Sequence, residues 1–304
     1  MAVPIGVPVG GQPGARPARR SSSRLRRLAV LTVVGAALAL SGCSAQDSEA
    51  WKNLALPSRD ATDTSHYVFD LWRWGWVAAL VTGAIVWGLI AYVCIAYRRR
   101  SDDEVPVQTR YNLPLEIFYT IAPVIMVVVF FFHTVNAQNA LLEEVDNPDH
   151  EIVVVGQQWQ WTFNYPDQEA VEAANVYEVG TASYIPTLML PVNETVEFRL
   201  HSPDVIHDFW VTGFLMKMDV IPGRVNHFQV TPQQIGSYSG KCAELCGVSH
   251  SRMLFNVEVV SRADFDAYLQ QQEAAGNVSD GPLLGGSEAD TQAGTEDLAS
   301  GESE

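Results

Sequence analysis

Two long apolar runs occupy the first half of the chain, and short alternating segments occupy the second. Residues 75–97 include no charged side chain over 23 positions, against about 20 residues needed to cross the hydrocarbon core of a bilayer. Trp72, Trp74 and Trp76 stand at one end of this run, and Arg98, Arg99 and Arg100 close the other. An aromatic belt at one interface and a basic cluster on the cytoplasmic side orient such a helix. A loop over 101–113, carrying Arg110, leads to a second apolar run at 115–135. Pro123 inside that run is tolerable, because neighbouring helices can satisfy the carbonyl it frees. The pattern predicts a two-helix transmembrane hairpin that returns the chain to the outer face.

From Glu151 the hydrophobic period falls to that of strands. Segments 152–155, 159–165, 195–200, 209–212, 225–230, 237–240 and 254–260 are short, rich in β-branched and aromatic residues, and punctuated by Pro, Gly and Asn. Such spacing predicts a sandwich or barrel. Within 158–165, Trp159, Trp161, Phe163 and Tyr165 alternate, which places them on one sheet face, usually as core packing. Ser261-Arg262-Ala263-Asp264 reads as the cap of a terminal helix through about Gln272. Residues 167–184 read as an acidic surface loop. Residues 273–304 contain scarcely any large apolar side chain and are expected to stay disordered.

The N-terminus reads as an address. A Pro, Gly, Arg and Ser-rich start precedes an apolar run at 28–40, too short to span with margin. Leu40-Ser41-Gly42-Cys43 then matches a bacterial lipobox, in which Cys43 is lipidated and becomes the first residue; ordinary cleavage nearby is the alternative. The chain has 19 basic against 35 acidic residues, net charge −16. Six of the basic residues (Arg16, Arg19, Arg20, Arg24, Arg26, Arg27) lie before Cys43. So acidic a protein is a poor nucleic-acid binder and suits a basic partner.

The chemistry concentrates in Lys241–Met253, read together with His207. Cys242, Cys246, His250 and Met253 fall in one loop, with a spacing of Cys-x3-Cys-x3-His-x2-Met. Thiolate and thioether are soft donors and imidazole suits copper, so the set favours a copper electron-transfer centre of the cupredoxin type over magnesium, calcium or a closed zinc site. A second thiolate is enough to bridge a second metal. A disulfide between Cys242 and Cys246 is the alternative. Cys94 lies in the first span and reads as packing, and His201 as an ordinary strand-end side chain.

His207, Cys242, Glu244, Cys246, His250 and Met253 resemble the binuclear copper A site of cytochrome c oxidase subunit II, and the resemblance covers about residues 70–269. It implies that Cys242 and Cys246 bridge two coppers, that His207 and His250 are terminal ligands, that Met253 is a weak axial ligand and that Glu244 supplies its backbone carbonyl. The Glu244 carboxylate would then face Mg2+ or Mn2+ at the junction with subunit I. Trp159 corresponds to the tryptophan that accepts the electron from cytochrome c, although Gln160 departs from the aromatic found next in that family. The run 116–123 is similar to a segment whose glutamate stands at the entrance of a proton channel, which assigns that role to Glu116; a plain helix-end charge is the alternative. Lys217, Asp219 and Arg224 fall in a stretch that resembles the contact with subunit I, and Asp204 either orients the site or joins an acidic docking surface.

The fold so implied is a two-helix hairpin followed by an all-β cupredoxin-like Greek-key sandwich. Its divisions are a signal peptide over 1–42, an outer connector over 43–70, the hairpin over 71–136, the copper domain over 148–272 and a tail over 273–304. The implied partners are oxidase subunit I and other oxidase subunits, the membrane, and a cytochrome c or a cytochrome c domain of a bc-type complex, as in actinobacterial versions. Haems would belong to partner subunits. A copper-delivery or electron-carrier cupredoxin lipoprotein is the competing reading.

Overall fold

Unbroken apolar sequence becomes two long helices, α1 at Ser65–Ala96 and α2 at Leu113–Leu141. The computed structural model describes residues 52–101, 104–181 and 183–286, with Val30, Thr32 and Val33; the leader, Cys43 and the chain beyond 286 lie outside the described residues. Both helices are long and apolar enough to cross a membrane. Both also outrun the predicted spans. At about 1.5 Å per residue, the 32 residues of α1 exceed a hydrocarbon core of about 30 Å, so this helix projects beyond the bilayer. Asn112 caps α2 by accepting from Leu115 N–H at 3.4 Å, while the Glu116 carboxylate accepts from Asn112 N–H at 2.9 Å. That reciprocal arrangement is a capping box. Most apolar side chains of the hairpin are exposed, such as Trp87 and Phe131, and suit lipid or other apolar helices.

The second half folds into two facing sheets. Strands β1 (His150–Gln157), β2 (Gln160–Pro166), β3 (Asn175–Val179), β4 (Thr187–Pro191), β5 (Val196–His201), β6 (His207–Val211), β7 (Met216–Val220), β8 (Asn226–Val230), β9 (Gly236–Cys242) and β10 (Leu254–Val260) precede helix α3 (Arg262–Ala274) and a short β11 (Val278–Ser279). One sheet has the order β11-β3-β2-β1-β5-β8 and the other β4-β10-β9-β6-β7. β1–β5 and β10–β4 pair in parallel. The expected hairpin and all-β sandwich are both present. Ser261 caps α3 as its sequence predicts, accepting from Asp264 N–H at 3.2 Å.

Strand alternation sets the core and, with it, the position of the chemistry. Trp161, Phe163 and Tyr165 project inward from β2 and are fully buried, whereas Trp159 precedes the strand in a turn and is only half-buried. His207 and Phe209 lie two apart on β6 and share its inner side, as do Met253 and Phe255 at the start of β10. Phe209 and Phe255 stack at 5.0 Å with 6° between their planes, and the Trp161 ring packs edge-on against both. Each such pair adds about 0.5–1.5 kcal/mol beyond its area. Packing these rings therefore fixes the two strands that deliver His207 and Met253.

Three segments depart from expectation. The stretch 167–184 is no simple surface loop, because it holds β3, whose Glu178 is buried and accepts from Tyr184, Tyr268 and Gln272. An acidic side chain misled the reading; partners from α3 make its burial tolerable. Residues 273–286, expected to be disordered, complete α3, add β11 to the edge of β3 and continue along β2. Backbone hydrogen bonding holds this stretch where apolar content is low.

The connector is the third. Ala61 is fully buried, Asp63 N–H donates to Thr231 O at 3.0 Å, Thr231 N–H donates to Asp63 Oδ1 at 2.9 Å, and Gln233 N–H donates to Ala61 O at 2.9 Å. Past α2, Val145 N–H donates to Gln229 Oε1 at 2.8 Å and Gln229 Nε2 returns a bond to Val145 O at 3.1 Å. Both ends of the hairpin are thus fastened to β8 and the residues just after it.

Gly240 on β9 has no room for a side chain, since an added Cβ would lie 2.0 Å from the Phe255 ring. Gly240→Ala is expected to lower stability by roughly 1–3 kcal/mol, the usual cost of overpacking. Thermal unfolding of the purified full-length chain checks this, and an unchanged midpoint would contradict the packing described.

Candidate metal centre

The loop between β9 and β10 is closed by its own backbone. Cys242 N–H donates to Met253 O at 3.0 Å, and Ala243 N–H donates to Asp208 O at 3.1 Å. These bonds fold 242–253 back over the end of the sandwich and bring its donors beneath β6. Cys242, Cys246, Met253 and His207 are all buried, and His250 is half-buried.

The donor atoms converge. The two sulfurs lie 3.8 Å apart, and both cysteines are free thiols. His207 Nδ1 stands 3.9 Å from Cys242 Sγ and His250 Nδ1 stands 3.6 Å from Cys246 Sγ. Met253 Sδ is 3.8 Å from Cys246 Sγ, and the Cys242 thiol donates to Glu244 O at 3.2 Å. Each sulfur therefore has its own imidazole, and a thioether and a carbonyl complete the cluster. His207, Cys242 and Cys246 alone already form a group able to hold a metal ion.

Polar neighbours orient these ligands. Asp204 Oδ1 lies 2.9 Å from His207 Nε2, so the carboxylate accepts that proton and leaves Nδ1 turned to the sulfurs. Of the two roles expected for Asp204, orientation is the one its contacts show. Gln158, which the sequence did not single out, donates through Nε2 to Cys246 O at 2.6 Å and through its backbone N–H to Asp204 Oδ2 at 2.7 Å. Trp159 Nε1 donates to the same Cys246 carbonyl at 3.3 Å, while Trp161 Nε1 donates to Met253 O at 3.4 Å. Trp159 is the half-exposed ring touching the centre; Trp161 is walled in below it.

Glu244 is exposed, and its neighbourhood includes Asp208 and Lys217. The Lys217 ammonium donates to Asp208 Oδ2 at 2.9 Å, and a hollow beside this pair is lined by Asp208, Lys217, Asp219 and Arg224. Glu116 is far removed in sequence and element, at the start of α2. Asp208 was also missed; its position next to His207 was the only available signal.

Burial acts against charge at every member of the cluster, and neighbours decide which groups overcome it. Burial pushes the Cys242 thiol up, but the His207 imidazole and the Asp208 and Glu244 backbone groups more than reverse this, leaving it at about 7. Burial raises Cys246 and the adjacent Cys242 charge adds to it, so Cys246 is pushed up to about 12. His207 is held above its ordinary value: burial lowers it, and the Asp204 and Cys242 contacts outweigh that. Of the two sulfurs, Cys242 is therefore the one that more readily carries negative charge, next to an imidazole whose protonated form is favoured. Two cations would remove the repulsion that keeps the second thiol protonated. Soft sulfurs, imidazoles and a thioether in one buried group fit copper, so the residues present match the metal implied by the resemblance.

Ultraviolet thiolate absorbance of the metal-free chain should rise by one equivalent around pH 7, vanish from that range in Cys242→Ser, and show no second step from Cys246 until about pH 12. Simultaneous ionisation of both thiols near neutrality would contradict this electrostatic picture.

The chain is similar in sequence to proteins of one family. The family profile described as "Cytochrome C oxidase subunit II, periplasmic domain" matches residues 151–260. The "probable cytochrome c oxidase subunit 2" of Streptomyces avermitilis is 44% identical over 287 residues, covering 83% of this chain and 89% of that protein. The cytochrome c oxidase subunit 2 of Mycobacterium tuberculosis is 33% identical over 302 residues, covering 82% of each. Among solved structures, the periplasmic domain of subunit II of cytochrome oxidase from Bradyrhizobium japonicum matches at 27% identity with a TM-score of 0.39, over 43% of this chain and 99% of that one. With its buried thiol pair, its two imidazoles and its two apolar helices, the chain belongs to the cytochrome c oxidase subunit II family, and is therefore one subunit of a haem-copper oxidase.

Proposed function

We propose that this chain takes electrons one at a time from a cytochrome c, soluble or tethered as a domain of a bc-type complex, and passes them to haem in subunit I. There oxygen is reduced to water with coupled proton pumping. The observation that carries this reading is the pairing of two reduced sulfurs 3.8 Å apart, each with its own imidazole nitrogen within 3.9 Å. Cys242, Cys246, His207, His250, Met253 and the Glu244 carbonyl would hold binuclear copper A, which supplies a one-electron couple shared over two metals.

The chain's own residues do the rest. Asp204 keeps His207 Nδ1 directed at the sulfurs, and Gln158 and Trp159 hold the Cys246 carbonyl from the outer side. Trp159 is the electron-intake residue in this reading, because it bridges surface and centre. Burial of the ligands excludes water, so the site need not reorganise solvent as charge moves. On the opposite flank the exposed Glu244 carboxylate would meet Mg2+ or Mn2+ at the subunit I junction, a hard-cation role. Lys217, Asp219 and Arg224 would face the same subunit. Arg224 could then pair with a carboxylate there.

Two fastenings, to β8 and to the residues just after it, hold the copper domain at fixed height above the hairpin, which an electron relay to a membrane partner requires. A copper-delivery protein would instead need an open, exchangeable site, and these ligands are buried. The domain lies on the outer face in this reading, with Arg98–Arg100 in the cytoplasm, and a lipid on Cys43 would add a further anchor. The Glu116 carboxylate caps α2, and this reading also gives it the entrance of a proton channel of subunit I.

Oxidase isolated through a tag on this chain should hold two coppers per chain at this site, with a paramagnetic signal from one electron shared by both nuclei. Trp159→Phe should keep that signal yet cut turnover with cytochrome c by about tenfold or more. A single-copper signal would refute the binuclear reading, and unimpaired turnover in Trp159→Phe would refute the intake assignment.

A further inference from the structure

Beyond α3 the chain runs across the sandwich as an extended strap that ends against Gln157 and Pro203, next to the residues that orient the metal ligands. After β11 pairs with β3, Leu283 N–H donates to Asn164 Oδ1 at 2.7 Å, and Asn164 Nδ2 donates to Leu283 O at 3.2 Å. Asn164 is fully buried beneath it. Gln157 Nε2 then donates to Gly286 O at 2.8 Å. Gly285 sits in the left-handed region at φ +71°, and a Cβ there would lie 2.4 Å from Gln157 Oε1 and 3.0 Å from Pro203 Cγ. The strap is therefore wedged between Gln157 and Pro203. Those residues immediately precede Gln158 and Asp204, the two side chains that grip the Cys246 carbonyl and His207.

This segment lies outside the 151–260 stretch matched to the family, and it contributes no metal donor. Its position makes it a brace on the turn that carries Trp159. We infer that residues 281–286 form an outer strap of the electron-intake site, setting the pose of the Gln158–Trp159 turn and hence the affinity for the protein electron donor. The inference rests on the intake role proposed above for Trp159.

The strap also fixes where the following sequence begins. Residues 287–304 carry six acidic and no basic side chains, tethered at Gly286 beside the intake turn. Charge of that sign favours encounter with a basic donor, and its effect is separable from that of the strap by choosing where the chain is cut.

The test uses the assembled oxidase with three variants of this chain: one ending at Asp280, one ending at Gly286, and full-length Gly285→Val, which forces the strap away while keeping its residues. The chain ending at Asp280 and Gly285→Val should each raise KM for the cytochrome donor on the order of fivefold, as expected for losing one or two positioning hydrogen bonds. Copper content, the paramagnetic signal and turnover with a small-molecule reductant should stay unchanged. The chain ending at Gly286 should keep KM at moderate salt and lose only part of its salt dependence.

Unchanged donor KM in the first two variants overturns the inference. So does loss of copper in them, because the strap would then be part of the metal scaffold. An equal KM rise in the chain ending at Gly286 also overturns it, since the acidic residues rather than the strap would set affinity. Failure of the functional reading itself is distinguishable, because the unaltered oxidase would then lack the two-copper signal or the Trp159 dependence.

Discussion

Two thiolates side by side in a buried pocket repel each other strongly, and only positive charge placed between them makes the pair stable. Cys242 and Cys246 stand 3.8 Å apart, and burial together with its neighbour drives Cys246 up to about 12 while Cys242 falls to about 7. The pocket thus favours negative charge on Cys242 over Cys246, on the side where His207 stands. A scaffold that holds the two free thiols this close keeps two soft donors ready for metal. The enforcement is mechanical: backbone bonds from Cys242 and Ala243 to Met253 and Asp208 close the loop, and the stacked Phe209 and Phe255 hold the strands on which it is hung.

Around that pair the polar side chains divide into two flanks. On one, Gln158 binds Asp204, Asp204 binds His207, and Gln158 and Trp159 share the Cys246 carbonyl, while the strap packs on the neighbouring Gln157. On the other, Asp208, Lys217, Asp219, Arg224 and the exposed Glu244 form a charged surface. An apolar core of aromatic rings lies below both. The centre therefore has one side built from side-chain hydrogen bonds to its ligands and another built from exposed charge.

Orientation relative to the membrane has an equally local cause. α1 extends beyond the bilayer, and its lead-in pairs with residues 231–233, while Val145 after α2 is gripped by Gln229 of β8. One edge strand and the residues just after it take both attachments. Hydrogen bonds at two separated points resist rotation in a way a single flexible linker cannot, so a domain that needs a fixed distance to its acceptor has that distance built in.

Much of this was legible from residue pattern. Charge-free length announced the two helices, period-two alternation announced the sandwich, Ser261 announced the cap of α3, and the soft-donor spacing of Cys242, Cys246, His250 and Met253 announced the metal, because each depends on residues close in sequence. Residues 273–286 were read as disorder and 59–64 as mere connector, because their order comes from partners a hundred or more residues away; Glu178 and β3 were read as loop because the partners that make a buried carboxylate tolerable include Tyr268 and Gln272 of α3. Gln158, Asp208 and the strap were invisible for the same reason: Gln and Gly have no chemistry that marks a site until a distant carbonyl or carboxylate is brought to them. Sequence alone determined which donors were available and what they could bind. Tertiary structure decided which imidazole faces which sulfur, which thiol ionises, and which tryptophan meets both solvent and centre, since these depend on distances of a few ångströms between strands that only the folded core sets.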